Sequence, residues 1–458
     1  MKNTIKLIIL SLAAIAVMAA LLVVLKLRKA EDGAPQAAGS PAAQGQEQTV
    51  IWSGEEADEV QVSNSAGGFR IVRTGDTDPD SFAVETMEKH ETDSDAVLSV
   101  VRFAEAPPYQ KDLGKADDWD QYGLAAPAVT MTAVFKGNRT RTLLIGSEAP
   151  DGGYYAREDG SDELYILNGS SRLLRDAKQF LPLTVFRADQ DAADRSGYTV
   201  LHFSGSNFEE EITILADDRF PYARYSSAEP AVMAMNDEAV NRVTSLLDKI
   251  TAREVLAVDP DEEALQEYGF DEPVCHLDFI VNGDEHSIIA GRATENGYTV
   301  LFDDRPVVYE LAAGQADGWV RTSYYELRSR FLLLYGIGDV SRITIRDEET
   351  GSARIFEKAQ DEDAVTLDGK TVDYGAYRKF YQELISLSVF DDSKEIPKGD
   401  PTVTITMDFF GSEPVSVSLY SSGGRNALAV RDGFTLGLVR QTDLNRLKEE
   451  LDRLSQKQ

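Results

Sequence analysis

The stretch from Asp259 to Gly291 constrains the fold most, because a helix stop, two strands and the turn between them are written there in consecutive residues. It begins Asp-Pro-Asp-Glu-Glu-Ala-Leu-Gln-Glu-Tyr-Gly-Phe-Asp-Glu-Pro and runs on into an apolar segment. Asp259 is placed to cap a short helix, Pro260 suits its first position, and Glu262 stands where a capping box wants a carboxylate. Gly269 suits the left-handed residue that ends a helix. Pro273 blocks helical continuation and opens a strand where a missing N–H is harmless. These are instructions for architecture, and they carry no chemistry.

The unit recurs. Tyr122-Gly123-Leu124-Ala125-Ala126-Pro127 leads into an alternating segment over 128–135, a turn at Lys136-Gly137-Asn138 and a second strand ending Leu143-Leu144-Ile145-Gly146. Tyr268-Gly269-Phe270-Asp271-Glu272-Pro273 leads likewise into 274–281, a turn at Asn282-Gly283-Asp284 and a strand ending Ile288-Ile289-Ala290-Gly291. Downstream, 153–157 matches 297–301 and 164–167 matches 308–311, so each unit ends in a meander of antiparallel hairpins. A fainter third copy runs through Pro401–Met407, Asn426–Val430 and Thr435–Val439, without the Tyr-Gly stop.

Upstream of these meanders lie amphipathic helices. Asn236 precedes one that carries Val240, Val243, Leu246, Leu247 and Ile250 on a single face, and Tyr377, Phe380, Tyr381, Leu384 and Ile385 mark another. An aromatic stripe of the second kind can line a ligand groove, but core is its commoner role. Short strand pairs come before the helices, Glu59–Ser63 with Phe69–Val72 and Ser341–Arg346 with Ala353–Glu357. The chain closes with a helix over Asp443–Leu454 whose Leu444, Leu447, Leu451 and Leu454 share a face.

The first residues place this body on a membrane. From Leu7 to Leu25 there is no charged residue, and as a helix that run is about 28 Å long, close to the thickness of bilayer hydrocarbon. A cleaved signal peptide is the competing reading. The run is long for that, and it is followed by Lys26, Arg28 and Lys29 with no small-residue cleavage site, which favours an uncleaved anchor. Lys2 and Lys6 oppose that basic cluster, so charge counting does not orient the span. A short tail before it and a large acidic body behind it favour an extracytoplasmic body. The expected organisation is a tail (1–6), a transmembrane helix (7–25), a flexible linker (26–49) and three repeat units (50–182, 183–334 and a degenerate 335–458). The fold class is α+β, with tandem units of antiparallel sheet and packed helices.

Composition sets the remaining bounds. A chain of 458 residues is long enough for two or three domains. With 46 Lys+Arg against 78 Asp+Glu the formal net charge is −32, which repels nucleic acid and anionic membrane surfaces. No nucleic-acid partner is expected. The 19 Phe and 18 Tyr within a 42% apolar chain argue against disorder. The single cysteine, Cys275, excludes an internal disulfide framework. Its neighbour His276 points to the opposite face of a strand, so a buried thiol is the reading rather than a Cys-His nucleophile pair.

Other chemistry is sparse. Asp76-Thr77-Asp78-Pro79-Asp80 has carboxylates at the 1, 3, 5 spacing of a calcium loop, but Ser81 stands where glycine is required and Met87 where the last glutamate belongs. Asp303-Asp304, Asp391-Asp392 and Asp361-Glu362-Asp363 read as solvated turns. His90, His202, His276 and His286 are scattered, without zinc spacing or local partners. Ser204-Gly205-Ser206 reads as a hairpin rather than a nucleophile turn, and no phosphate-cradling loop or dinucleotide fingerprint occurs. The sequence therefore gives no catalytic, metal or cofactor residues.

At the Tyr-Gly-Leu/Phe-x-x-Pro motif, with its preceding helix, Gly-ended second strand and Tyr-containing last strand, the chain resembles the bacterial family called domain of unknown function 4340. The resemblance runs from about Val50 to Leu454 and is clearest in the first two units. It implies a membrane-tethered, extracytoplasmic protein, and some members are associated with ABC transport systems of the gliding-motility type. No catalytic residues are established for the family, so Tyr122, Gly123, Pro127, Tyr268, Gly269 and Pro273 carry over as structural positions. The expected function is a non-enzymatic interaction or scaffold protein beside a membrane transporter. A surface module binding glycan or peptide through Tyr154, Tyr155 or Tyr298 is the alternative, and a hydrolase using Asp/Glu pairs is the third choice. Oligomeric state is left open.

Overall fold

Alternation of apolar and polar residues makes strands the main element, since side chains two apart share a face. Val129, Met131, Ala133 and Phe135 are buried in alternation with partly exposed neighbours, and Cys275, Leu277, Phe279 and Val281 repeat the pattern. The computed structural model describes residues 49–456 apart from 54–55, 76–79, 190–196 and 361–363. The expected membrane span 7–25, nearly all of the linker, the calcium-like run at Asp76 and the turn at Asp361-Glu362-Asp363 thus lie outside the described residues. Among the described residues no helix is long and apolar enough to cross a membrane.

In chain order the first strands are β1 (Ala57–Asn64), β2 (Phe69–Arg73), β3 (Phe82–Val84), β4 (Tyr109–Lys115), β5 (Val129–Phe135), β6 (Arg139–Glu148), β7 (Tyr154–Glu158), β8 (Glu163–Leu167) and β9 (Thr184–Arg187). Next come β10 (Tyr198–Ser204), β11 (Ile212–Ala216), β12 (Tyr225–Glu229), β13 (Lys249–Thr251), β14 (Glu254–Val258), β15 (Cys275–Val281), β16 (Asp284–Ala293), β17 (Gly297–Phe302) and β18 (Val307–Ala312). The last are β19 (Val340–Asp347), β20 (Ala353–Lys358), β21 (Val365–Leu367), β22 (Lys370–Val372), β23 (Val389–Asp391), β24 (Val403–Phe409), β25 (Val415–Ser422), β26 (Asn426–Arg431) and β27 (Phe434–Arg440).

The chain divides into two compact units, one of residues 49–57 and 102–170, the other of residues 58–101 and 171–456. In the first, strands lie in the order β5-β6-β7-β8-β4, all neighbours antiparallel. In the second, β1, β2 and β3 form an antiparallel meander. An eight-stranded sheet runs β12-β11-β10-β15-β16-β17-β18-β14, a nine-stranded sheet runs β22-β21-β20-β19-β24-β25-β26-β27-β23, and β9 pairs with β13. These two large sheets share one plan. A meander runs outward from one side of a central pair, a second meander runs outward from the other, and a strand that follows the amphipathic helix, β14 in one sheet and β23 in the other, closes the far edge. The orders β3-β2-β1 and β5-β6-β7-β8-β4 match that plan part for part.

The helices bury one stripe each. Ser94–Glu105, which its sequence did not single out as a helix, buries Ala96, Val97, Val100, Val101 and Ala104. Asp237–Leu247 is capped by Asn236, whose side chain accepts from the Glu238 and Ala239 amides, and it buries Val240, Val243 and Leu247. Leu246 is only half-buried, and Ile250 belongs to β13 rather than to the helix. In Tyr374–Ile385 the aromatic stripe is core, with Phe380 stacked on Phe356 at 4.5 Å and Tyr377, Phe380 and Tyr381 all buried. The closing helix, Gln441–Gln456, buries Leu447, Leu451 and Leu454. Asp391, expected in a turn, ends the edge strand β23 opposite Leu438.

The Tyr-Gly motif proves to be a docking turn. Gly269 is left-handed at φ +84°, and the Tyr268 carbonyl before it accepts from the Arg292 amide at 2.9 Å. Arg292 lies where the pairing of β16 with β17 shifts register between Ala290 and Ala293, a bulge. The approach is so close that a Cβ on Gly269 would meet Arg292 N at 2.8 Å and one on Gly291 would meet Tyr268 O at 2.3 Å. The first unit repeats this with Gly123 at φ +69°, Gly146 against the Tyr122 carbonyl, and a register shift between Ile145 and Glu148. Where the Tyr-Gly pair is missing, β25 has no glycine and pairs with β26 without a shift.

The cap before Tyr268 differs from expectation. The short helix is Glu262–Glu267 and its cap is Asp261, which accepts from the Ala264 amide at 2.9 Å. Asp259 is held in a left-handed conformation at φ +46° because its amide is committed to Pro306 O at the sheet edge. Glu262 is then the first helical residue, where a negative charge favours the helix dipole. Asp261→Ala is expected to lower stability by about 1 kcal/mol, while Asp259→Gly, which gives up the 3.2 Å contact of its carboxylate with His90 Nε2 but relieves the positive φ, is expected to lose less. Denaturant unfolding midpoints decide this, and equal losses at both positions would contradict the assignment.

Candidate functional site

Two recesses form in the second compact unit around the chain between β18 and β19. The larger is an open groove of about 820 Å³ whose floor includes Ala239, Val243, Leu246 and Leu327. One wall is the helix Asp237–Leu247, and a second is the helix Ala313–Val320, which comes close because Gly318 has no side chain: a Cβ there would meet Leu246 Cδ1 at 2.4 Å. Arg242, Arg321 and Arg330 stand on its rim. Arg321 is fixed, donating to the Tyr298 hydroxyl at 2.6 Å and pairing with Asp317 at 3.2 Å. That hydroxyl in turn donates to Asp317 at 3.0 Å, and burial pushes the Tyr298 phenol above its ordinary range. The third wall is the turn Tyr324–Leu327, closed by a capping box in which Ser323 and Glu326 serve each other's amides.

The smaller recess, of about 380 Å³, is lined among others by Phe208, Glu209, Tyr324, Arg328, Asp392 and Phe434. Arg328 is 2% exposed. Its guanidinium donates to the main-chain carbonyls of Ser329, at 3.1 Å, and Leu436, and it lies over the rings of Tyr324 and Tyr325. Neutral carbonyls leave the buried charge without full compensation, and burial holds its affinity for a proton below the ordinary value. The Tyr324 hydroxyl donates to Ala231 O at 2.8 Å and sits 3.0 Å from the Ser227 hydroxyl, with burial raising its pKa to about 12. A second buried arginine, Arg431, donates to the Tyr335 hydroxyl at 3.1 Å and contacts the Met233 sulfur at 3.2 Å.

The segment that carries Arg328 is laced on both sides. Arg328 bridges Met235, and the Ser329 amide donates to Ala234 O, on the side of the eight-stranded sheet. On the other side Leu332 N donates to Leu387 O, Val389 N donates to Arg330 O, and Phe331 bridges Ser388. The boundary read at 334–335 therefore falls just beyond a segment bonded both to earlier and to later parts of the chain.

The residues singled out in the sequence fall elsewhere. Tyr122 packs on Tyr155 with ring centroids 4.9 Å apart, and the Arg292 guanidinium lies 5.9 Å over the Tyr268 ring, so the motif aromatics brace the docking turns. The Pro273 carbonyl accepts from the Ser206 amide at 3.0 Å, within the connection from β10 to β11, and Pro127 precedes β5. Cys275 is fully buried, and burial raises its thiol well above the usual range, while His276 points out to Asp278 and Ser287. Sequence periodicity did not reveal Arg328, Arg431 or the arginine rim, because isolated arginines carry no spacing signal.

Antiparallel sheets with helices packed on them define an α+β protein, and one of its units carries two arginine-framed recesses. The chain belongs to the DUF4340 family: the model for this domain of unknown function matches residues 100–196 and 227–395. No curated protein and no solved structure matches it.

Arg328 supplies a direct test of the energetic picture. Arg328→Ala is expected to lower stability by about 2–3 kcal/mol through lost packing and an orphaned carbonyl. Arg328→Met, which fills the space without a charge to desolvate, is expected to lose less than half of that. Urea unfolding of the two variants measures the difference, and equal losses would show that burying the charge is not the cost.

Proposed function

We propose that the protein is a non-enzymatic interaction or scaffold protein, anchored by the span 7–25 with its body outside the cytoplasm and acting as an accessory to an ABC-type transport system. The observation that carries this reading is the strand plan shared by the two large sheets and matched by the strands before β9. One plan used three times is the mark of internal repeats, and repeats on a tether offer an extended contact surface. The groove beside the helix Asp237–Leu247 adds a place to dock, with an apolar floor for an anchor side chain and a polar rim. The α+β tandem organisation and membership of the family fit the same role.

A surface module for glycan or peptide is the second reading, and it draws on Tyr154 and Tyr155, which are partly exposed at the start of β7. Tyr298 adds nothing to it, being 4% exposed with its hydroxyl engaged.

Crosslinking and mild detergent extraction of the full chain, with pull-down and mass spectrometry, tests the proposal against a chain lacking residues 1–29. Transporter subunits are expected with the full chain, and the combined change Arg242→Glu and Arg330→Glu is expected to reduce their recovery about tenfold if the groove is a centre of contact. Recovery of no membrane-transport subunit with either chain would overturn the accessory role.

A further inference from the structure

The solvent face of the eight-stranded sheet carries a row of polar side chains. His202 of β10 lies opposite Thr213 of β11 on one side and Asp278 of β15 on the other, and Thr213 lies opposite Glu229 of β12. Cross-strand partners share a face, and Glu211, two residues before Thr213, joins them there. Leu201 and Phe203, the neighbours of His202, are buried on the other face.

The hydrogen bonds fix the role of one nitrogen of the imidazole. Thr213 has one hydroxyl proton and donates it to Glu229 Oε2 at 3.0 Å, since a carboxylate only accepts. His202 Nδ1, 2.9 Å from the same hydroxyl oxygen, must then be the donor in that contact. A neutral ring so held carries its lone pair on Nε2. That nitrogen faces Glu211 Oε2 at 3.8 Å, and the ligand atoms of His202, Glu211 and Glu229 all lie within 4.8 Å of one another. In the neutral ring that lone pair and the two carboxylates converge.

We propose that His202, Glu211 and Glu229 form a divalent metal site, with Zn²⁺ the ion that their chemistry fits. One imidazole and two carboxylates are a zinc donor set, whereas Ca²⁺ and Mg²⁺ favour oxygen alone. Two donors about 2.0–2.1 Å from zinc at a tetrahedral angle are about 3.4 Å apart, against 3.8 Å between His202 Nε2 and Glu211 Oε2 and no more than 4.8 Å among all three ligand atoms, so the exposed side chains of Glu211 and Glu229 draw in to close the site. A ligating histidine also needs its other N–H held by an acceptor, and Thr213 does this. The ion ties together β10, β11 and the edge strand β12, leaving at least one coordination position for water.

The test is calorimetric titration of ZnCl₂ into the full-length chain in detergent, stripped of metal by a chelator. One tight site per chain is expected, with a rise in unfolding temperature on zinc addition. His202→Ala, Glu211→Gln and Glu229→Gln are each expected to weaken that site at least about tenfold, and Thr213→Val also weakens it by removing the support of the ring. His90→Ala leaves the titration unchanged. If His202→Ala loses its fold, the two isosteric glutamine changes decide the matter. The proposal is overturned if the stripped protein binds no zinc below millimolar concentration, or if the variants bind it as the unaltered chain does.

Discussion

The architecture depends on a contact between two pieces of backbone. A carbonyl from the turn that ends a short helix is received by a bulge in the second strand of the following hairpin, at Tyr268 and Arg292 in one sheet. Both sides need glycine, because a Cβ at either would lie within about 3 Å of main-chain atoms, closer than van der Waals contact allows. The contact fixes where the helix ends, which way the next strand sets out and where the second strand bends. Glycine in the strand and glycine in the turn are thus one device. The third sheet lacks both and keeps a regular ladder there.

Much of this was written locally, and so it was legible. Period-two alternation located β5 and β15, and Asn282-Gly283 gave the two-residue hairpin, with φ of +54° and +91°, that such a pair favours. The Tyr-Gly pair announced its left-handed stop. What failed were choices between near neighbours. Asp259 and Asp261 are equally good caps by residue type, and only the bond from Asp259 N to Pro306 O, made across the sheet edge, decides between them. Ile250 continues the helical period of Val243 and Leu247, yet pairing of β13 with β9 takes it into a strand.

The candidate sites were less legible for the same reason. His202 and Glu229 are far apart in sequence and meet only because β11 pairs with both of their strands. Arg328 and Arg431 are ordinary in sequence, and their significance comes from burial within a chain whose net charge is −32. In so acidic a protein most arginines can find a carboxylate at the surface. Arg328 is instead enclosed by carbonyls and aromatic rings, and Arg431, whose guanidinium meets a tyrosine hydroxyl and a thioether, reaches only the neighbouring Asp432 at 3.6 Å, so both hold the structure in one arrangement at the cost of desolvating their charge.

The laced segment from Arg328 to Leu332 has a mechanical consequence. Main-chain bonds leave it toward Ala234 and Met235 on one side and toward Leu387, Ser388 and Val389 on the other, so a bend there would break bonds on both flanks at once. The two large sheets are thus joined by a strut rather than by a free hinge, since the chain between them is bonded on both flanks.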